Sequence, residues 1–135
     1  MEQRNKELLL KDLCARLPYG IKIFAKYVDG IKEYEVIGRV AQIDDDMVIG
    51  FINETDDEYS YTYVGINETK PYLFLMSSMT EDQKEEYREL CDLNGWGFDA
   101  LDATKLIDWL NKNHFDYRGL IEKGLAIDAT GLNIY

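Results

Sequence analysis

Apolar residues change their spacing several times along the chain, and each change predicts an element. Leu9, Leu10, Leu13, Cys14 and Leu17 recur at intervals of three and four, the spacing of one helical face. Glu7 and Lys11 stand one turn apart on the other face of that helix, and Pro18-Tyr19-Gly20 stops it. From Ile21 the period drops to two: Ile21, Ile23, Ala25 and Tyr27 alternate with Lys22, Phe24, Lys26 and Val28, as a half-exposed strand requires. Asp29-Gly30 predicts a two-residue hairpin turn. The return strand runs from Ile31 to about Ile43, with Gly38 marking a bulge or sharp bend, and Asp44-Asp45-Asp46 makes the next turn.

Met47 to Ile52 is apolar at consecutive positions, so a strand here is covered on both faces or curled around a core. Tyr59, Tyr61 and Tyr63 then alternate with Ser60, Thr62 and Val64, which gives the next strand an aromatic face. Another strand, Tyr72 to Met76, follows Pro71. Thr80 and Gln83 form a capping box, with Glu81 and Asp82 in the first turn where the helix dipole favours negative charge. Tyr87, Leu90 and Cys91 give that helix a narrow apolar face, and Asn94-Gly95 ends it. A last helix, roughly Ala103 to Asn113, places Leu106, Ile107 and Leu110 on one face, and Leu125 to Ala129 supplies a strand that rejoins the sheet. Residues 1–135 therefore read as a single α+β domain. It has an N-terminal helix, a strongly curved antiparallel meander of about five strands, and two C-terminal helices; a small SH3-like barrel is the closed form of such a meander.

Charge changes the picture by where it sits. The net charge of -11 divides into +2 over residues 1–43, -13 over 44–102 and zero over 103–135. Long-range repulsion then disfavours phosphate backbones and anionic membranes as partners. No apolar leader precedes the first helix, and no apolar run approaches a membrane span, so the expected location is cytoplasmic. Cys14 and Cys91, set among leucines and in no C-x-x-C pair, read as reduced core thiols.

Few residues carry recognisable chemistry. His114 is the only histidine, so any triad or imidazole base passes through it. It stands just past a helix, where its charge is favoured on structural grounds alone. Asp116 and Arg118 are spaced to pair with each other or with the main chain. Residues 92–103 have a calcium-loop outline, but Trp96 and Ala103 stand where oxygen ligands are needed. The carboxylate runs Asp44-Asp45-Asp46 and Asp56-Asp57-Glu58 read as solvated turns. Lys22, Lys26, Lys32 and Arg39 gather weakly on the first hairpin. No glycine-rich nucleotide loop occurs, and no cofactor or metal is implied.

Three stretches carry a resemblance: residues 11–20 (Lys-Asp-Leu-Cys-Ala-Arg-Leu-Pro-Tyr-Gly), residues 71–80 with Tyr72 and Ser77-Ser78-Met79-Thr80, and residues 114–121 (His-Phe-Asp-Tyr-Arg-Gly-Leu-Ile). Together they resemble a group of small uncharacterised proteins of gut Bacteroides-type bacteria, often associated with prophages or mobile elements. That resemblance implies a setting in which accessory proteins outnumber metabolic enzymes, and it implies no activity. The expected function is a non-enzymatic accessory or protein-interaction domain, phage-derived, with a protein partner. His114, Asp116, Tyr117, Arg118 and the acidic turn Asp44, Asp45 and Asp46 are its candidate contact residues. Two alternatives stand beside it. One is an acidic nucleic-acid mimic that occupies a DNA-binding protein; the other is a small hydrolase using His114 with a carboxylate.

Overall fold

Helix α1 (Gln3–Arg16) is the first element of the computed structural model, which describes residues 1–55, 60–91 and 100–135. Leu9 and Leu13 are wholly buried, as the spacing predicts. The same face also buries Asp12 and Arg16, while Cys14 is exposed. The buried stripe is thus 9, 12, 13 and 16, rotated from the one the apolar residues alone define. Cys91 is exposed as well, so neither thiol belongs to the core. Glu7 accepts a hydrogen bond from Gln3 (3.4 Å) in place of an ion pair with Lys11. A helical turn at Leu17–Tyr19 and Gly20 at φ +70° end the helix.

Strands β1 (Lys22–Asp29) and β2 (Lys32–Ile43) pair antiparallel through Asp29↔Lys32. The turn therefore holds Gly30 and Ile31, one residue later than the Asp29-Gly30 reading, with Gly30 at φ +67°. Strand β3 (Val48–Asn53) pairs with β2, and the irregularity in that ladder lies between Val40 and Gln42 rather than at Gly38. Gly38 is needed for a different reason. A Cβ there would overlap the Phe51 ring and lie 2.7 Å from the Ile52 carbonyl oxygen.

Strand β4 (Tyr61–Gly65) pairs with β3. Strand β5 (Thr69–Leu73) starts earlier and stops earlier than Tyr72 to Met76; Pro71 lies inside it, and Met76 opens a helical turn, Met76–Ser78. The capping box at Thr80 holds, with the Thr80 N–H donating to Gln83 Oε1 (2.9 Å) and the Gln83 N–H to Thr80 Oγ1 (3.2 Å). It opens α2 (Glu81–Cys91), which is followed by α3 (Ala100–Lys112). The α2 ending at Asn94-Gly95 and the calcium-loop outline fall largely outside the described residues, as do Asp56, Asp57, Glu58 and Tyr59. The tail forms the two-residue strand β6 (Ile127–Asp128), parallel to β5.

The result is an α+β fold with one open sheet in the order β4-β3-β2-β1-β5-β6. Its terminal strands do not meet, so the meander does not close into a barrel. One face packs on α1 through Leu9, Leu13, Ile23, Val40 and Phe51, with Leu120 and Leu125 filling in beside them. A second cluster joins Met79, Leu110 and Phe115 to half-buried Tyr87 and Trp109, so α2 and α3 hold each other beside the sheet. Ile107, placed on the apolar face of α3 by its spacing, is 38% exposed. No helix among the described residues is long and apolar enough to cross a membrane.

Candidate functional site

The residues around His114 come together, and what they build is a fastening. Arg16 donates from Nε to Asp12 Oδ2 (3.0 Å) and from Nη2 to the Phe115 carbonyl (2.6 Å). Arg118 donates to the second Asp12 oxygen (2.8 Å), so Asp12 holds two cations with no exposed side-chain surface of its own. The Tyr117 ring centre lies 5.3 Å from the Arg16 guanidinium and 4.5 Å from that of Arg118. Asp116 does not pair with Arg118. Its oxygens accept from the Leu120 and Ile121 N–H groups (2.8 and 2.9 Å) and close the turn that follows.

His114 sits at φ +60° and is 6% exposed. Its ring stacks on Tyr135 at 4.0 Å, and the Tyr135 hydroxyl donates to the Tyr72 carbonyl (2.8 Å) and accepts from the Lys22 N–H (3.0 Å). Burial, then the nearby charges of Arg16 and Lys22, lower the imidazole pKa to about 4. Nδ1 has no hydrogen-bond partner among the described residues. The shallow grooves of about 540 and 410 Å³ on this molecule are lined by other residues, Tyr27 and Tyr34 in one and Phe24 and Lys70 in the other.

The basic residues of the first hairpin are answered by acids. Lys22 and Arg39 both reach Glu54 (3.0 and 3.7 Å), and Lys26 reaches Glu33 and Glu35 (3.0 and 3.7 Å). The hydrogen bond from Lys26 to Glu33 is the main reason its pKa is raised. Lys32 lies 5.0 Å from the Tyr34 ring centre.

The acidic turn is ordered by its own main chain. Asp44 Oδ1 accepts from the Asp46 and Val48 N–H groups (2.9 and 3.0 Å), and Met47 takes φ +60°. Carboxylate oxygens of Asp44, Asp45 and Asp46 lie within 4.8 Å of one another. The turn adjoins one end of β4, because the Ile66 N–H donates to the Met47 carbonyl (3.0 Å).

Strand β4 is the region the motifs did not single out. Among the described residues it is the terminal strand of the sheet and pairs on one side only. Val64 is buried, while Tyr61 and Tyr63 on the opposite face are 44% and 59% exposed. The two rings meet edge to face at 5.0 Å. Tyr61 leans over Gly50, where a Cβ would lie 2.6 Å from its hydroxyl oxygen, and that hydroxyl donates to Gln42 (3.3 Å). The second cover expected over the apolar Met47 to Ile52 stretch is thus an aromatic ring. Half-buried Phe24, Ile37 and Ile52 continue the same face. The signal for it was present in the alternation of tyrosines, which defines a face; the position at a sheet edge was not.

Comparison with protein-family models, with curated proteins and with solved structures finds no match to this chain.

Proposed function

We propose that this protein is a non-enzymatic accessory domain that works by binding another protein, and that the contact surface is the β4 edge with its aromatic face. The observation that carries the reading is the exposure of Tyr61 and Tyr63 on an edge strand that has β3 as its one neighbouring strand among the described residues. Natural edges are ordinarily blunted with Lys, Pro or a covering segment, and the residues of β4 include neither. Large exposed aromatics beside apolar neighbours are a common signature of contact surfaces. The resemblance to prophage-associated proteins fits this reading, since a phage-derived accessory protein acts chiefly through its partners.

The nucleic-acid mimic is less well supported. It needs acids spaced along one surface like phosphates, whereas Glu54 is paired with cations, Glu86 accepts from Trp109 (2.9 Å) and Asp102 is buried. The hydrolase reading lacks its acid–base pair, because Asp116 bonds the main chain and His114 stacks on Tyr135.

A photocrosslinking amino acid placed at position 63, and separately at exposed Glu122, tests the proposal in the native host. A defined protein adduct from position 63 and none from 122 is the expected outcome. Equal labelling from both positions, or none from 63, overturns it.

A further inference from the structure

We infer that the β4 edge receives an extended segment of its partner as an added strand, and that this segment is basic. The inference rests on the interaction reading above and names the chemistry of the partner.

The ladder fixes which backbone groups are free. The Asn53 N–H donates to the Ser60 carbonyl (2.8 Å), so Ser60, Thr62 and Val64 turn their main-chain groups toward β3. Tyr61, Tyr63 and Gly65 turn theirs outward. The Gly65 N–H is already taken by Glu68 Oε2 (3.2 Å), which agrees with that parity and marks one end of the open stretch. Tyr61 and Tyr63 are left presenting two N–H and two C=O groups to the outside, with no main-chain partner among the described residues. That is enough for a segment of about five residues to pair as a strand. Its alternate side chains would lie against the exposed Tyr61 and Tyr63 rings.

Charge selects the segment. From Val40 to Thr69 the chain has no Lys or Arg, and it has eight acids. Asp44, Asp45 and Asp46 stand at the Gly65 end of the edge, and Glu68 stands beside it. The same edge of a second copy would bring no Lys or Arg to those carboxylates, only further acids from residues 40–69. Lys or Arg flanking an extended apolar or β-branched core would meet those carboxylates instead, so the occupant is a basic segment of another protein.

A display library of random peptides, selected against the full chain, tests this. The expected result is enrichment of sequences combining Lys or Arg with alternating β-branched or aromatic residues. A selected peptide should slow amide exchange at Tyr61 and Tyr63 at least tenfold, and bind at least tenfold more weakly when salt rises from about 0.05 to 0.5 M. Tyr63→Pro removes an N–H that β3 does not use, and should weaken binding at least tenfold. Tyr63→Lys, which keeps the backbone intact, should weaken it several-fold and guards against misfolding of the proline variant. Neutral or acidic winners, protection at other amides, or binding insensitive to both variants would overturn the inference while leaving an interaction domain. An empty selection also overturns it, and the crosslinking experiment then decides the broader reading separately. Concentration-dependent dimers of the chain alone, abolished by Tyr63→Pro, would make a second copy the occupant and overturn the basic partner.

Discussion

The two ends of the sheet are built on opposite plans. At the β6 end the chain folds back on itself: the Phe74 N–H donates to the His114 carbonyl (2.8 Å) and the Asp116 N–H to the Phe74 carbonyl (2.8 Å). Tyr135 there ties Lys22 to Tyr72, and the buried Asp12 carboxylate is shared by Arg16 and Arg118. At the β4 end the last strand keeps an open row of main-chain groups and two solvent-facing tyrosines. The polar groups with the most unusual surroundings sit at the closed end, and they are engaged in holding it closed. The open end is made of ordinary residues whose outward main-chain groups have no main-chain partner among the described residues. Unusual burial here marks architecture, and unusual exposure is what the proposed contact surface rests on.

The contrast breaks if stability does not divide the same way. Asp12→Ala strands two cations, one of them fully buried, and should lower unfolding free energy by about 3–5 kcal/mol in urea titrations. A loss no larger than that of a β4 surface variant would show the closed end to be no fastening at all. Gly38→Ala, midway between the ends, forces a methyl against Phe51 and the Ile52 carbonyl and should cost about 1–3 kcal/mol by the same measurement. Full stability would mean that β2 and β3 can separate freely at that point.

Acid sharpens the comparison. The His114 imidazole, near 4 in the fold against its ordinary 6.5, stays neutral where the unfolded chain would take a proton. Stability should therefore fall as pH drops from 6.5 toward 4 and level off below that, by about 1–2 kcal/mol once partial solvent screening is allowed for. His114→Asn tolerates the positive φ and should flatten that part of the curve; an unchanged slope would assign the titration to other groups. The smallest effect belongs to the open end. Tyr63→Thr should shift stability by less than about 0.5 kcal/mol while weakening the proposed partner. A large loss of stability there would mean that the tyrosine serves the fold.

Local chemistry was legible in the sequence wherever its partners were near in the chain. The capping box at Thr80 and the alternation of Ile21 to Val28, paired with the next strand through a tight turn, each depend on neighbours close in the chain, and each forms. Asp12 and Arg16 were not legible because an i,i+4 pair reads as a solvated helix pair. Their burial depends on Phe115 and Arg118, which no local period reveals. The same burial turns the helix and exposes Cys14. The contact residues expected around position 114 come together in the fold, but their burial and their partners, Asp12 and Tyr135 among them, are not visible in any local period. The tyrosine alternation gave β4 its face, yet a strand's place at an edge depends on which neighbours it lacks.

The bond from Arg16 to the Phe115 carbonyl joins residues 99 apart, and that from Arg118 to Asp12 joins residues 106 apart. During synthesis on the ribosome, α1 and the first hairpin emerge long before either contact can form. Until then Asp12 and Arg16 have only each other and water, and burying them is unfavourable. The first helix made therefore completes its docking only late. A translation product that stops short of Phe115 has the residues for β1 to β4 and the apolar contacts of α1 with them, but not the partners of Asp12 and Arg16, so quality control would meet an aromatic edge on an unfinished core.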